Sequence, residues 1–259
     1  MTITLAPDPF PFSPRAVAAP APTNAAAPSN LMQKAAHPLK VLALGDSLVY
    51  GYGDWSGGGW VDRLRRQWMR PDPAGPVLYN LGVRGDKAQQ VLERLEGEFM
   101  SRGELRNRTP DRLILSVGTN DTPRVGRPDG RIMTAQGDFV SAIADLLDRA
   151  QGFCPTVFVG MVPVVPERMP FMGCLYYNHA DQYAYKEITR RSCEVRGIPY
   201  FDCFDLWMGR GMDWIAARMG DDGLHPNELG YESLLADLMA WEAIAAFGQG
   251  TATVQRQVA

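Results

Sequence analysis

A chain of 259 residues, with 46% hydrophobic and 21% charged side chains, has room for one sizeable core under an ordinary polar surface. A net charge of -3 and a pI near 5.7 exclude the strongly basic character that nucleic acid or acidic membranes select. No apolar run approaches the roughly 18 residues of a bilayer-spanning helix, so membrane insertion is not expected.

Residues 1–38 are rich in Ala and Pro and poor in charge, with prolines at 7, 9, 11, 14, 20, 22 and 28 that forbid a regular helix or central strand. They lack a basic segment followed by a compact apolar block, so they make a poor secretory signal. The expectation is a disordered lead, 1–38, before a single domain over 39–248 and a flexible tail over 249–259. That absence of a signal favours a cytoplasmic location. The four cysteines, Cys154, Cys174, Cys193 and Cys203, agree with it. They show no Cys-x-x-Cys spacing, and Cys154 and Cys203 read as small buried thiols beside strands.

From Lys40 the pattern alternates. Lys40–Leu44 is a short apolar run suited to a strand buried on both faces of a parallel sheet. It ends in Gly45-Asp46-Ser47-Leu48 and a glycine-rich connection, Gly51–Gly59. Trp60, Val61, Leu64 and Trp68 then form one apolar helical face, and Arg63, Arg65, Arg66 and Arg70 on the same stretch read as a solvated face. A second strand, Val77–Asn80, precedes a helix whose apolar stripe is Ala88, Val91, Leu92, Leu95 and Phe99. Arg112–Val117 is a third strand, and Phe139, Ile143, Leu146, Leu147 and Ala150 mark the next helix. Thr156–Gly160 and Ile198–Asp202 complete five strands, and Tyr231, Leu234, Leu235 and Leu238 mark a last helix. This alternation predicts an α/β fold, a three-layer α/β/α sandwich around a five-stranded parallel sheet. Two long connections, Gly51–Gly59 and Met161–Asn178, leave carboxyl ends of strands and should border one crevice.

Serine needs a base within hydrogen-bond reach to act as a nucleophile at neutral pH. The chain has three histidines. His37 falls in the lead, and His179 is placed to start a helix. His225 lies in Asp222-Gly223-Leu224-His225-Pro226, where a carboxylate three residues earlier can fold back onto Nδ1 and leave Nε2 for Ser47. Acyl transfer also needs donors for a developing oxyanion. Gly85, in Asn80-Leu81-Gly82-Val83-Arg84-Gly85-Asp86, can offer a backbone N–H, and Asn120, in Gly118-Thr119-Asn120-Asp121, a side-chain amide. Singly, the Asp222–Pro226 segment reads equally well as a turn with a helix cap, and the Gly85 and Asn120 segments read more readily as turns than as donors.

These four segments, in this order and each at the end of a predicted strand, resemble the SGNH, or GDSL, hydrolase family over about residues 40–240. The resemblance implies a flavodoxin-like sandwich and hydrolysis of carboxylic esters. By position it implies Ser47 as nucleophile and first oxyanion donor, Gly85 and Asn120 as the other two donors, His225 as general base and Asp222 as its orienting partner. Asp46 would shape the turn. No metal or organic cofactor is implied, and the partner is a small-molecule ester. Tyr50, Tyr52, Trp55 and Trp60 suit a carbohydrate O-deacetylase, whereas Met161, Met169, Phe171 and Met172 suit an acyl pocket of a lysophospholipase or thioesterase. Arg84 either intrudes on the oxyanion site or holds an anionic substrate. A catalytically silent ligand-binding module is the alternative outside enzymes.

Overall fold

The computed structural model describes residues 38–69, 75–102 and 109–248. The expected lead through residue 37, with His37, the tail from 249, and Arg70 lie outside the described residues.

β1 (Lys40–Gly45) is followed by the four-residue α1 (Ser47–Tyr50) and by α2 (Gly59–Trp68). β2 (Val77–Gly82) leads to α3 (Ala88–Ser101). After β3 (Arg112–Ser116) come a 3-10 turn at Thr119–Asp121, the two-residue β4 (Arg124–Val125) and α4 (Gln136–Phe153). β5 (Thr156–Val159) enters a long loop that holds β6 (Leu175–Tyr176) and ends at α5 (His179–Glu194). β7 (Tyr200–Phe201) precedes α6 (Cys203–Met208), α7 (Met212–Ala216), α8 (Glu228–Ala240) and α9 (Glu242–Gly248).

The main sheet is parallel, in the order β2-β1-β3-β5-β7. Alternate residues of β1 divide between its faces. Val41 and Ala43 join Trp60, Leu64, Tyr231 and Leu234 from α2 and α8 on one side. Leu42 and Leu44 join Val91, Leu95, Ile143 and Leu147 from α3 and α4 on the other. Burial on both faces is why this strand reads as an unbroken apolar run. Each fully buried Leu, Val or Phe contributes about 1.5–3 kcal/mol, so both helical layers are held by many comparable contacts.

The chain leaves β1 to form β2 on one side and crosses back to form β3 on the other, so a crevice opens at the carboxyl ends of β1 and β3. All four apolar stripes read from the sequence are buried faces of helices. The differences lie at edges. The fifth strand is only Tyr200–Phe201, because Pro199 has no N–H and Ile198 turns its own back onto the Cys193 carbonyl at 2.9 Å. The expected last helix, α8, is followed by α9, and α5, α6 and α7 fill the second half. The small antiparallel pair β4–β6 was not legible, since two residues a side carry no periodicity.

Among the described residues no helix is long and apolar enough to cross a membrane. All four cysteines are free, with Cys154, Cys193 and Cys203 buried and Cys174 exposed.

Candidate active site

Ser47 is the first residue of α1, immediately past β1. The strand can run straight into this helix because Gly45 passes against β3. A Cβ there would stand 1.8 Å from the Ser116 carbonyl oxygen, so any side chain would push β1 and β3 apart. Asp46 caps α1, its Oδ1 accepting from the Leu48 N–H at 2.9 Å. Asp46 is fully buried, and that burial, reinforced by the nearby Asp121 and Asp86 carboxyls, pushes its pKa up to about 7.

His225 arrives on the loop between α7 and α8. Its Nε2 lies 2.8 Å from Ser47 Oγ, and its Nδ1 lies 2.7 Å from Asp222 Oδ2. The network assigns the tautomer: Nδ1–H donates to the carboxylate, and Nε2 accepts from the serine hydroxyl. The other carboxylate oxygen, Asp222 Oδ1, accepts from the backbone N–H of Leu224 (2.9 Å) and His225 (3.0 Å). Burial opposes the charge on Asp222, but these hydrogen bonds from His225 and Leu224 outweigh it and hold the carboxyl below its usual value. Asn227 caps α8 and anchors the far end of the loop. His179 is committed elsewhere: it does start α5, and its Nε2 bonds the Val164 carbonyl at 2.8 Å.

Parallel pairing of Gly45 with Gly82, extended by Val83 N–H donating to the Gly45 carbonyl at 2.9 Å, carries the Val83–Asp86 turn alongside the serine turn. Gly85 has φ +84°, is exposed, and donates its N–H to no described residue. Asn120, in the turn after β3, donates one amide hydrogen to the Asp86 carbonyl at 3.0 Å, and its second has no acceptor among the described residues. The segments carrying Ser47, Gly85, Asn120, Asp222 and His225 thus gather at one end of the sheet.

Asp86 and Asp121, next to two of these positions, are buried and act as struts. Asp86 Oδ2 accepts from Arg94 Nε at 2.7 Å, and Arg94 also donates to the Gly45 carbonyl at 2.8 Å. Asp121 holds the first N–H of α3, that of Ala88, at 3.0 Å and the Thr134 hydroxyl at 2.7 Å. Tyr177, from the long loop, reaches Asn120 Oδ1 at 3.5 Å. No spacing in the sequence points to Tyr177 or Arg94, because both arrive from other elements.

Both long loops border this site. The Tyr52 ring meets the His225 ring edge-on at 4.6 Å, and Phe171 does so at 5.8 Å. The Gly51–Gly59 loop is organised by one side chain. Asp54 accepts from the N–H groups of Gly57 (2.8 Å) and Gly59 (3.0 Å) and from Arg63 Nε (2.7 Å). Arg63 is therefore a loop brace as well as a member of a polar helix face, and Arg66 likewise donates to the Gly57 carbonyl at 2.7 Å. Arg84 turns onto the Tyr52 ring, 4.0 Å from its centroid. Trp60 and Met161 are buried core side chains. Among the described residues, no group of three or more His, Cys, Asp or Glu is arranged to hold a metal ion.

The profile of the GDSL-like lipase/acylhydrolase family matches residues 43–233. The chain belongs to that family. This GDSL-like chain also shares its fold with solved relatives. The lipase/acylhydrolase from Enterococcus faecalis is 18% identical with a TM-score of 0.60, over 77% of this chain and 93% of that one. The psychrotrophic esterase EstA from Pseudoalteromonas sp. is 18% identical with a TM-score of 0.57, over 80% and 97%. A variant of Axe2, an acetyl xylan esterase from Geobacillus stearothermophilus, is 17% identical with a TM-score of 0.57, over 78% and 93%. A search of curated protein sequences gave no match.

Proposed function

We propose that this GDSL-like hydrolase is a serine esterase that cleaves carboxylic esters through an acyl-enzyme. Ser47 is its nucleophile, His225 its general base and Asp222 the partner that orients the base. The observation that carries this reading is the unbroken hydrogen-bond path from Asp222 through both ring nitrogens of His225 to Ser47 Oγ. That path joins residues 178 positions apart in the chain.

Ser47 Oγ attacks the acyl carbon as its proton passes to His225 Nε2. The carboxylate of Asp222, held in the charged form by its hydrogen bonds, stabilises the imidazolium without taking a proton. Charge developing on the acyl oxygen is met by the N–H groups of Ser47 and Gly85 and the second amide hydrogen of Asn120. His225 then protonates the departing alkoxide, leaving the acyl group on Ser47. Water repeats the sequence: His225 removes its proton, the acyl–serine bond breaks as His225 returns that proton to Ser47 Oγ, and the carboxylic acid departs. The reaction balances with these side chains and water alone. The esterases among the fold relatives support an ester as the acyl donor.

The test is labelling with a fluorophosphonate probe together with hydrolysis of p-nitrophenyl acetate. Both are expected in the native protein, and both are expected to be lost in Ser47→Ala. Full activity in Ser47→Ala or His225→Ala would end this reading.

A further inference from the structure

We infer that the ester belongs to a carbohydrate, and that the cleft beside the triad is a saccharide subsite. This rests on the esterase reading above and specifies its substrate. A cavity of about 850 Å³ is lined by Tyr50, Tyr52, Gly53, Trp55, Asp62 and Asn80, and the Tyr52 ring in its wall meets the His225 ring edge-on at 4.6 Å. Such a volume lies within the range of small-molecule sites. A second hollow of about 590 Å³ is lined by Trp55 together with Asn227, Glu228 and Glu232.

Trp55 lines both hollows, and it is 96% exposed, while Tyr50 is 53% exposed. Leaving an indole in water gives up a few kcal/mol of burial. Here the loop beneath it is not loose, because Asp54 ties it to Gly57, Gly59 and Arg63. The ring is thus presented from a fixed base. A pyranose offers an apolar C–H face that stacks on an aromatic ring and a rim of hydroxyls that donate to carboxylates and amides. Three carboxylates beside these hollows keep acceptor positions beyond their protein partners: Asp62, which takes Asn80 Nδ2–H and Arg65, and the half-exposed Glu228 and Glu232, held by Ser56 and Arg63.

Among the described residues, the larger cavity is walled by aromatic rings, glycines and the polar side chains of Asp54, Asp62 and Asn80, with no aliphatic side chain. Arg63, Arg65 and Arg66 are each turned onto protein acceptors, namely Asp54, Asp62 and the Gly57 carbonyl. Arg84 has no carboxylate partner among the described residues and lies over Tyr52, which makes a phosphate-bearing ester the competitor to test.

The experiment compares p-nitrophenyl acetate, chemically O-acetylated cellopentaose and a lysophosphatidylcholine as substrates of the full chain and of Trp55→Ala and Tyr50→Ala. The native protein is expected to release acetate from the oligosaccharide. In Trp55→Ala the ratio of kcat/KM for the oligosaccharide to that for p-nitrophenyl acetate should fall about tenfold, mostly through KM, as for one aromatic hot-spot contact. Tyr50→Ala should move the ratio in the same direction. An unchanged ratio in both variants overturns the inference, as does a native protein that hydrolyses the lysophospholipid faster than the oligosaccharide. A protein active on p-nitrophenyl acetate but inert toward the oligosaccharide overturns it while leaving the esterase reading intact. Inertness toward all three esters, with no fluorophosphonate labelling, removes both.

Discussion

Asp222 Oδ2 lies 2.7 Å from His225 Nδ1, while the other oxygen of the same carboxylate receives two backbone N–H groups of the loop between them. One side chain therefore sets both the path of the loop and the tautomer of the ring. Asp222→Asn keeps the shape but turns a donor toward Nδ1, favouring the tautomer that cannot take the serine proton. On p-nitrophenyl acetate kcat is expected to fall by about 10⁴ with the fold retained by circular dichroism. A loss smaller than tenfold would show that Asp222 is not the orienting group.

Asn120 stands at the carboxyl end of β3 with one amide hydrogen anchored on the Asp86 carbonyl. Removing the donor with Asn120→Ala should lower kcat by about 10²–10³ and leave KM within a few fold, since the oxyanion exists only in the transition state. Steady-state kinetics with p-nitrophenyl acetate measure both. A change confined to KM would assign Asn120 to ground-state binding.

Buried Asp46 links stability to pH. Its folded-state pKa, about 7, lies above the ordinary carboxyl value of 3.8. Between those two values the folded protein keeps a proton that the unfolded chain has released. Stability from this group is therefore complete below about pH 4, declines as pH rises towards 7, and is level above that. Asp46→Asn retains an acceptor for the Leu48 N–H and cannot ionise, so urea unfolding at pH 5 and pH 8 should show a smaller decline in the variant. An equal decline in both proteins would remove Asp46 as its source.

Two glycine-to-alanine changes should have opposite signs. Gly45→Ala forces a methyl group to within 2.6 Å of Val49 Cγ2 and closer still to the Ser116 carbonyl, so soluble expression or thermal stability should drop sharply. Gly97 lies inside α3, is exposed, and has nothing within 4 Å of a new Cβ. Gly97→Ala should raise stability by about 0.5–1 kcal/mol, read as an increase in Tm. A Gly45→Ala protein as stable as the native one would contradict the strand packing described here.

Periodic features were legible from residues alone. The stripe Ala88, Val91, Leu92, Leu95 and Phe99 is the buried face of α3, and the apolar run from Val41 is the central strand. Features that depend on a partner were not. The β4–β6 pair exists because Arg124 and Tyr176 meet across 52 positions, and Arg124 is secured there by Asp181 at 2.7 Å. The bracing of the glycine-rich Gly51–Gly59 loop was not legible either, because the role of Asp54 depends on where Arg63 lies. Trp60 and Trp55 looked alike as aromatics near the nucleophile, yet one is core and the other projects into water.

Local chemistry along the chain determined the layered α/β architecture, the turn that carries Ser47, and the Asp222–His225 pair, because helix and strand periods and a three-residue loop are short-range properties. The approach of that imidazole to the hydroxyl, the alignment of the Gly85 and Asn120 segments beside it, and the exposure of Trp55 beside two hollows were decided only in three dimensions. They follow from the order in which parallel strands pair, and strand order depends on contacts between distant segments that no local window of sequence contains.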